Sequence, residues 1–300
     1  MDQLRISSIS HLHEIIGFEK PRHPLISLID VSELVVREEE VGTRILYDLY
    51  VITQKDKSCG VEYGRNSFDF DEGVMAFSAP GQIYEPTRAI HAGEIKGWML
   101  FFHPDLIHAT HLGSHMDEYS FFNYDVFEAL HLSDQEEKIV NDVVQNIKLE
   151  YEQRIDNHSH RVIVSNLELL LNYCLRYYER QFNTRTSQSL GITASFEQEL
   201  KRYFQDNLHV EQGLPAISYF AEKVHLSQHY FSDLIKKETG RSPKDHINDF
   251  VIEKAKNLLL STPQSVSEIA YDLGFNYPHY FTRLFKNKTG LSPVEYRLQH

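Results

Sequence analysis

The sequence lacks most of the features that would place it among membrane, secreted or catalytic proteins. It has two cysteines, Cys59 and Cys174, far apart in the chain. That excludes a disulfide scaffold and a four-cysteine zinc site, and it suits a reducing cytoplasm. No apolar run approaches the roughly 18 residues of a membrane-crossing helix, so no span is expected. The opening residues, MDQLRISSISHLHEII, have no charged start leading into an apolar segment, and no secretory leader is expected either. Glycine-rich phosphate loops and nucleophile motifs are absent too, so catalysis is not indicated. Positive charge is in short supply: 30 Lys+Arg against 43 Asp+Glu leave a net −13 at pH 7.

What is present is concentrated near the end, in SVSEIAYDLGFNYPHYFTRLFKNKTGLSP, Ser265 to Pro293. Ser265 and Glu268 have capping-box spacing, each side chain serving a free N–H of a first helical turn. Ile269, Ala270 and Leu273 share one apolar face, Gly274 supplies a left-handed stop, and Phe275 folds back. Asn276 is placed to cap a second helix, with Pro278 tolerated in its first turn. In that helix Phe281, Leu284 and Phe285 face inward, while His279, Arg283 and Lys286 face out. Such a helix suits a DNA major groove; the alternative is an ordinary solvated surface helix.

A repeat decides between the two. HYFSDLIKKETGRSP, His229 to Pro243, matches HYFTRLFKNKTGLSP, His279 to Pro293, at an offset of 50 residues. The preceding helix repeats at an offset of 49, Ala221, Val224 and Leu226 answering Ala270, Leu273 and Phe275. Ile247, Phe250, Val251, Ala255 and Leu258 make the joining segment a helix, Lys244 to Leu260, which Ser261-Thr262-Pro263 ends. Two helix-turn-helix units in tandem are predicted. Residues 193–297 therefore resemble the DNA-binding domain of AraC/XylS-type bacterial transcription regulators. His225 stands where the second unit has Gly274, so a left-handed turn there would carry modest strain.

The resemblance implies base-reading positions at Gln228, His229, Ser232, Asp233 and Lys236 in the first unit. In the second it implies Tyr277, His279, Tyr280 and Arg283, with Lys286 on phosphate. It also implies a cytoplasmic activator of transcription, a homodimer that works with RNA polymerase, and a cupin-like barrel ahead of the DNA-binding domain. The charge supports the division: residues 191–300 hold 13 Lys+Arg and 13 Asp+Glu, while residues 1–190 hold 17 and 30. The acidic part would repel DNA.

Residues 1–130 read as that barrel. Short runs at Ser32–Val36, Ile45–Ile52, Cys59–Tyr63, Val74–Ser78 and Gly97–Phe102 predict strands between turn-rich stretches. Residues 73–82, GVMAFSAPGQ, resemble the penultimate stretch of such a barrel. Tyr47, Phe77, Tyr84, Trp98 and Phe101, with Met99, are candidates for a small-effector pocket or simply for core, since the strand phase is open. Neither His11/His13 nor His158/His160 falls where a metal-binding cupin keeps its ligands. His103, His108, His111 and His115 have no carboxylate or thiol tied to them. No metal or cofactor is expected.

Residues 131–182 predict two helices. Ser133 and Glu136 form another capping box, and Ile163, Leu167, Leu170, Cys174 and Tyr178 make a wide stripe. That stripe reads as a dimer interface by analogy with the family, with burial on the barrel as the alternative. Residues 183–192, including NTRTSQS, read as a linker, and 193–300 as the DNA-binding domain. The fold expected is thus an all-β cupin-like barrel, a helical hairpin and an all-α tandem helix-turn-helix domain. The competing function is a barrel enzyme of the cupin class with a helical appendage. Alkyl-group repair through a cysteine is weaker, because Cys174 lies in a Leu-rich helix.

Overall fold

Alternating side chains in the first half of the chain build two sheets, and the alternation decides which face of each is buried. The computed structural model describes residues 3–55, 73–125, 128–184 and 186–299. These divide into one unit, Met1–Thr184, and a second, Arg185–His300.

The first unit begins with β1 (Gln3–Ile6), α1 (Ile9–Ile15), β2 (Ile26–Asp30), β3 (Arg44–Tyr47) and β4 (Tyr50–Lys55). It continues through β5 (Val74–Ser78), β6 (Ile83–Tyr84), β7 (Gly97–Phe102), the short α2 (His111–Ser114) and β8 (Leu130–His131). One sheet has the order β1-β3-β6, with β1 and β3 parallel; the other is antiparallel, in the order β2-β7-β4-β5-β8. Ile29, Val51, Met99 and Phe101 point from the larger sheet toward Leu4, Ile6, Ile45 and Tyr47 of the smaller, and α1 closes this core with Ile9 and Leu12. The opposite face of the larger sheet carries Ile52, Met75, Phe77, Leu100 and Phe102, all buried.

That opposite face is covered by α3 (Asp134–Glu152) and α4 (Ser159–Thr184). The Trp98 indole donates to Asn141 at 2.9 Å and Gln54 to Glu137 at 2.7 Å, both on α3. From α4, Cys174 Sγ lies 4.0 Å from Met75 Sδ, and the Tyr178 ring is 6.0 Å from that of Phe77. The capping box at Ser133 and Glu136 opens α3.

The structure corrects several expectations. Residues 32–36 form no strand: Asp30 accepts from the Ser32 N–H at 2.9 Å and starts a single turn instead. Residues 45–52 are two strands with a turn at Asp48–Leu49. Cys59–Tyr63 lies outside the described residues. β1, α1 and β2 were not foreseen. The stretch 183–192 is helical on both sides of residue 185 rather than an unpatterned linker, for Ser and Thr weaken a helix without breaking it.

The five pocket candidates are not brought together. Tyr47 and Phe101 face the inter-sheet core, ring centroids 5.9 Å apart, and Tyr84 is paired beside Ile45 at its edge. Phe77 and Trp98 lie on the helix-facing side. Nor is the α4 stripe a dimer face, because Ile163, Leu167, Leu170 and Cys174 are each 0% exposed within a single chain. Their breadth is explained by two partners at once, α3 and the sheet. Leu167→Ala should therefore cost about 2–5 kcal/mol. Leu167→Glu with Leu170→Glu should unfold the first unit, as followed by circular dichroism. A folded double variant that merely sediments as a smaller species would restore the interface reading.

Candidate nucleic-acid interface

In the second unit every apolar face in the repeat is turned inward. It contains α5 (Thr186–Gln205), α6 (Leu208–Gln212), α7 (Ile217–Lys223), α8 (Gln228–Thr239) and α9 (Pro243–Ser261), then α10 (Val266–Asp272), α11 (Pro278–Thr289) and α12 (Pro293–Gln299). Phe196, Leu200, Tyr203 and Phe204 of α5 are buried, and Phe196 meets Phe220 of α7 and Phe231 of α8 at 4.9 and 5.6 Å. Helix α8 buries Tyr230, Phe231, Leu234 and Ile235; α11 buries Phe281 and Phe285. Each ends on a left-handed glycine, Gly240 or Gly290.

The two turns are equivalent. In the first, the Leu226 N–H donates to the Ala221 carbonyl at 3.0 Å; in the second, Phe275 donates to Ala270 at 3.0 Å. Between them His225 takes φ 56° and Gly274 φ 88°. At Gly274 a Cβ would come within 2.6 Å of the His209 carbonyl oxygen, so packing on α6 admits no side chain. The Ser265–Glu268 box forms as expected, at 3.2 and 2.7 Å. Asn276 does not cap α11. Tyr277 occupies the cap position without a side-chain bond, since Pro278 takes the first helical place.

Outward from these helices stand the predicted reading residues. On α8, Gln228, His229 and Lys236 are exposed, while Ser232 and Asp233 are half-buried, and the Ser232 hydroxyl donates to the Gln228 carbonyl at 2.7 Å. On α11, His279, Tyr280, Arg283 and Lys286 are exposed beside Tyr277. The His279 and Tyr280 rings lie 4.3 Å apart, and the Arg283 guanidinium sits 5.3 Å over the Tyr280 ring. That stack was invisible as pattern, although all three residues were singled out.

Sequence reasoning also missed an ionic cluster. Arg241, just past α8, pairs with Asp249 of α9, and Lys288 of α11 reaches Asp249 at 2.9 Å and Asp245 at 3.6 Å. No local spacing announces it, because its members meet only after both units dock on α9. In the first unit of the chain, three of the four clustered histidines have neighbours of their own kind or close by in the fold. His111 and His115 stack at 4.1 Å with Glu168 3.0 Å from His111, and His103 accepts from the Asp105 N–H. Burial pushes the Cys174 thiol well up, which makes it an inert thiol.

Two recognition-type helices on one polypeptide, each presented by a preceding helix and a tight turn, define a tandem helix-turn-helix module. Residues 220–299 match the family described as a helix-turn-helix domain. The chain is 32% identical over 127 residues to the HTH-type transcriptional regulator YfiF of Bacillus subtilis, covering 42% of this chain and 37% of YfiF. It is 37% identical over 59 residues to YobQ of the same organism, covering 20% and 24%. It thus spans under two-fifths of the curated relatives it matches. The C-terminal domain of AraT from Geobacillus stearothermophilus is 33% identical, with a TM-score of 0.33, over 36% of this chain and 85% of that one. The likeness lies in this module: residues 220–299 are similar to a helix-turn-helix domain, and the curated relatives are described as HTH-type transcriptional regulators.

Two outcomes follow from the turns and from the buried imidazoles. His225→Gly should stabilise the protein by about 0.5–1 kcal/mol, whereas Gly274→Ala should destabilise it by more than about 1 kcal/mol. Urea midpoints at unchanged slope would show both. Burial pushes the His209 and His246 imidazoles below their ordinary value of 6.5, with Lys254 and Arg241 adding to it. Both then bind protons more readily unfolded, so stability is full above pH about 6.5 and falls below it. The slope per residue is at most about 1.4 kcal/mol per pH unit. His209→Gln should flatten the decline between pH 6.5 and 5.5 in urea titrations; an unchanged decline would assign it elsewhere.

Proposed function

We propose that the protein is a DNA-binding transcription regulator that reads two adjacent major-groove segments with one subunit. The observation that carries this is the pair of exposed polar faces on α8 and α11, mounted on the single helix α9. At about 1.5 Å per residue its 19 residues span roughly 28 Å. Successive major-groove faces lie about 34 Å apart, and the two second helices make up the difference. Gln228, His229, Ser232, Asp233 and Lys236 would face one segment; Tyr277, His279, Tyr280, Arg283 and Lys286 would face the other.

The N-terminal unit is assigned the control role. Its two sheets are compatible with a cupin-like arrangement, and Tyr47, Tyr84 and Phe101 are the candidates that lie toward the inter-sheet side. A small apolar or aromatic effector held there would act on the DNA-binding unit in the cytoplasm, where contact with RNA polymerase would make the protein an activator.

Hydroxyl-radical footprinting of the full chain on its selected site tests the reading. Protection of about 15–20 base pairs in two patches one turn apart per subunit is expected. Protection of a single half-turn would mean that one unit alone reads DNA. Arg283→Ala should cost about 1–3 kcal/mol at its cognate base pair, while Lys286→Ala should weaken all sequences alike and flatten the salt dependence. Uniform loss in both would remove Arg283 from a base edge.

A further inference from the structure

We infer that the two helix-turn-helix units divide the work of recognition, with the second carrying the sequence information and the first mainly affinity. This rests on the DNA-reading role proposed above and goes beyond it by assigning a half-site composition and a positioning residue.

The asymmetry is visible at positions the repeat makes equivalent. Tyr230 and Tyr280 occupy the same place in the HYF motif, yet Tyr230 is 3% exposed and Tyr280 48%. In the first unit that tyrosine is spent on the core. In the second it stands on the outward face with Tyr277, 59% exposed, the two rings 5.9 Å apart. The next equivalent pair is Asp233 and Arg283. A guanidinium donates in a planar fork that matches guanine O6 and N7, and each such pair discriminates strongly against other bases. A carboxylate at the same place repels phosphate, and Asp233 already has an interaction of its own. Ser232 has turned its hydroxyl proton to its own helix. The first unit is left with Gln228, His229 and Lys236 as its polar offer.

Tyr280 does more than occupy surface. Its ring lies 5.3 Å under the Arg283 guanidinium and 4.3 Å from the His279 ring, so a long side chain with many rotamers is held over one aromatic face. Holding Arg283 before DNA arrives lowers the ordering cost of forming its paired hydrogen bonds. The edges of Tyr277 and Tyr280 then present apolar surface beside it, the chemistry that fits a thymine methyl. The second half-site is accordingly a guanine flanked by thymine. Tyr280 is a positioning residue for Arg283.

Selection of the full-length protein on a random duplex library provides the test. One information-rich block containing guanine next to thymine is expected, with a nearly flat block one helical turn away. Arg283→Ala should flatten the rich block. Tyr280→Ala should reduce preference for the guanine by about two- to fivefold, and Tyr280→Phe, which keeps the ring, should restore it. Two equally rich blocks would overturn the division of labour, as would a rich block erased by Gln228→Ala with His229→Ala and not by Arg283→Ala. Equal guanine preference in Tyr280→Ala and wild type would overturn the positioning role. Enrichment of no sequence at all would overturn the DNA-reading function itself, a result distinct from the others.

Discussion

Ile247, Val251, Ala255 and Leu259 of α9 follow one another at four-residue spacing and are buried, and Ile252, turned about 100° from that row, is buried as well. The helix is enclosed from two directions because α8 packs on it from one helix-turn-helix unit and α10, α11 and α12 from the other. A helix held in this way has no direction in which to tilt without opening a cavity on one side, and close-packed interiors resist that. The separation and relative rotation of the two recognition-type helices are therefore properties of α9. The ionic cluster of Arg241, Asp245, Asp249 and Lys288 lies on its wetter side. Exposed pairs contribute little stability individually, so the cluster biases the docking rather than holding it.

Much of the second unit could be read from sequence because its information is local. Capping boxes, helix-stopping glycines and the 49- and 50-residue offsets each depend on neighbours within a few residues, and Ser265, Glu268 and Gly274 behave as those rules require. The first unit was less legible for the same reason reversed. A broad apolar stripe such as Ile163, Leu167, Leu170 and Cys174 reports that a helix is buried on much of its circumference. It carries no sign of whether the cover is another subunit or, as here, α3 and a sheet formed about a hundred residues earlier. The strands presented a related difficulty. Phe77 and Phe101 are both large, aromatic and buried, but pleat phase sends them to opposite sides of one sheet, and a one-residue uncertainty in phase exchanges those sides.

Near-identity of sequence in the two repeats also conceals their difference. The motif His-Tyr-Phe recurs unchanged, yet the two tyrosines have opposite fates, because the extra residue in one turn and the Ser227 cap start α8 differently from the Tyr277–Pro278 start of α11. The Ser227 hydroxyl accepts from the Tyr230 N–H at 3.2 Å, drawing the first turn of α8 tight. Tyr277, in the equivalent place before α11, offers no such side-chain acceptor, and the Tyr280 N–H donates instead to the Tyr277 carbonyl at 3.0 Å. Local backbone chemistry at the helix start thus decides which aromatic side chains are structural and which remain available to a partner.

The charge distribution fits this division between scaffold and surface. Residues 191–300 are neutral overall, so under the proposed DNA-reading role affinity would come not from a general positive field but from exposed cations on the outward faces, Lys236, Arg283 and Lys286 among them. Residues 1–190 carry the whole excess of acid, and beyond about 10 Å at 0.1 M salt their repulsion of DNA is largely screened. At low ionic strength the repulsion reaches further and opposes the counterion release that normally favours binding in that regime. Under the proposed role, two opposing salt terms in one chain would give a shallower net dependence than the phosphate contacts alone would produce. Discrimination among sites then falls more heavily on the short-range fit of side chains to base edges, which is where the exposed stack on α11 lies.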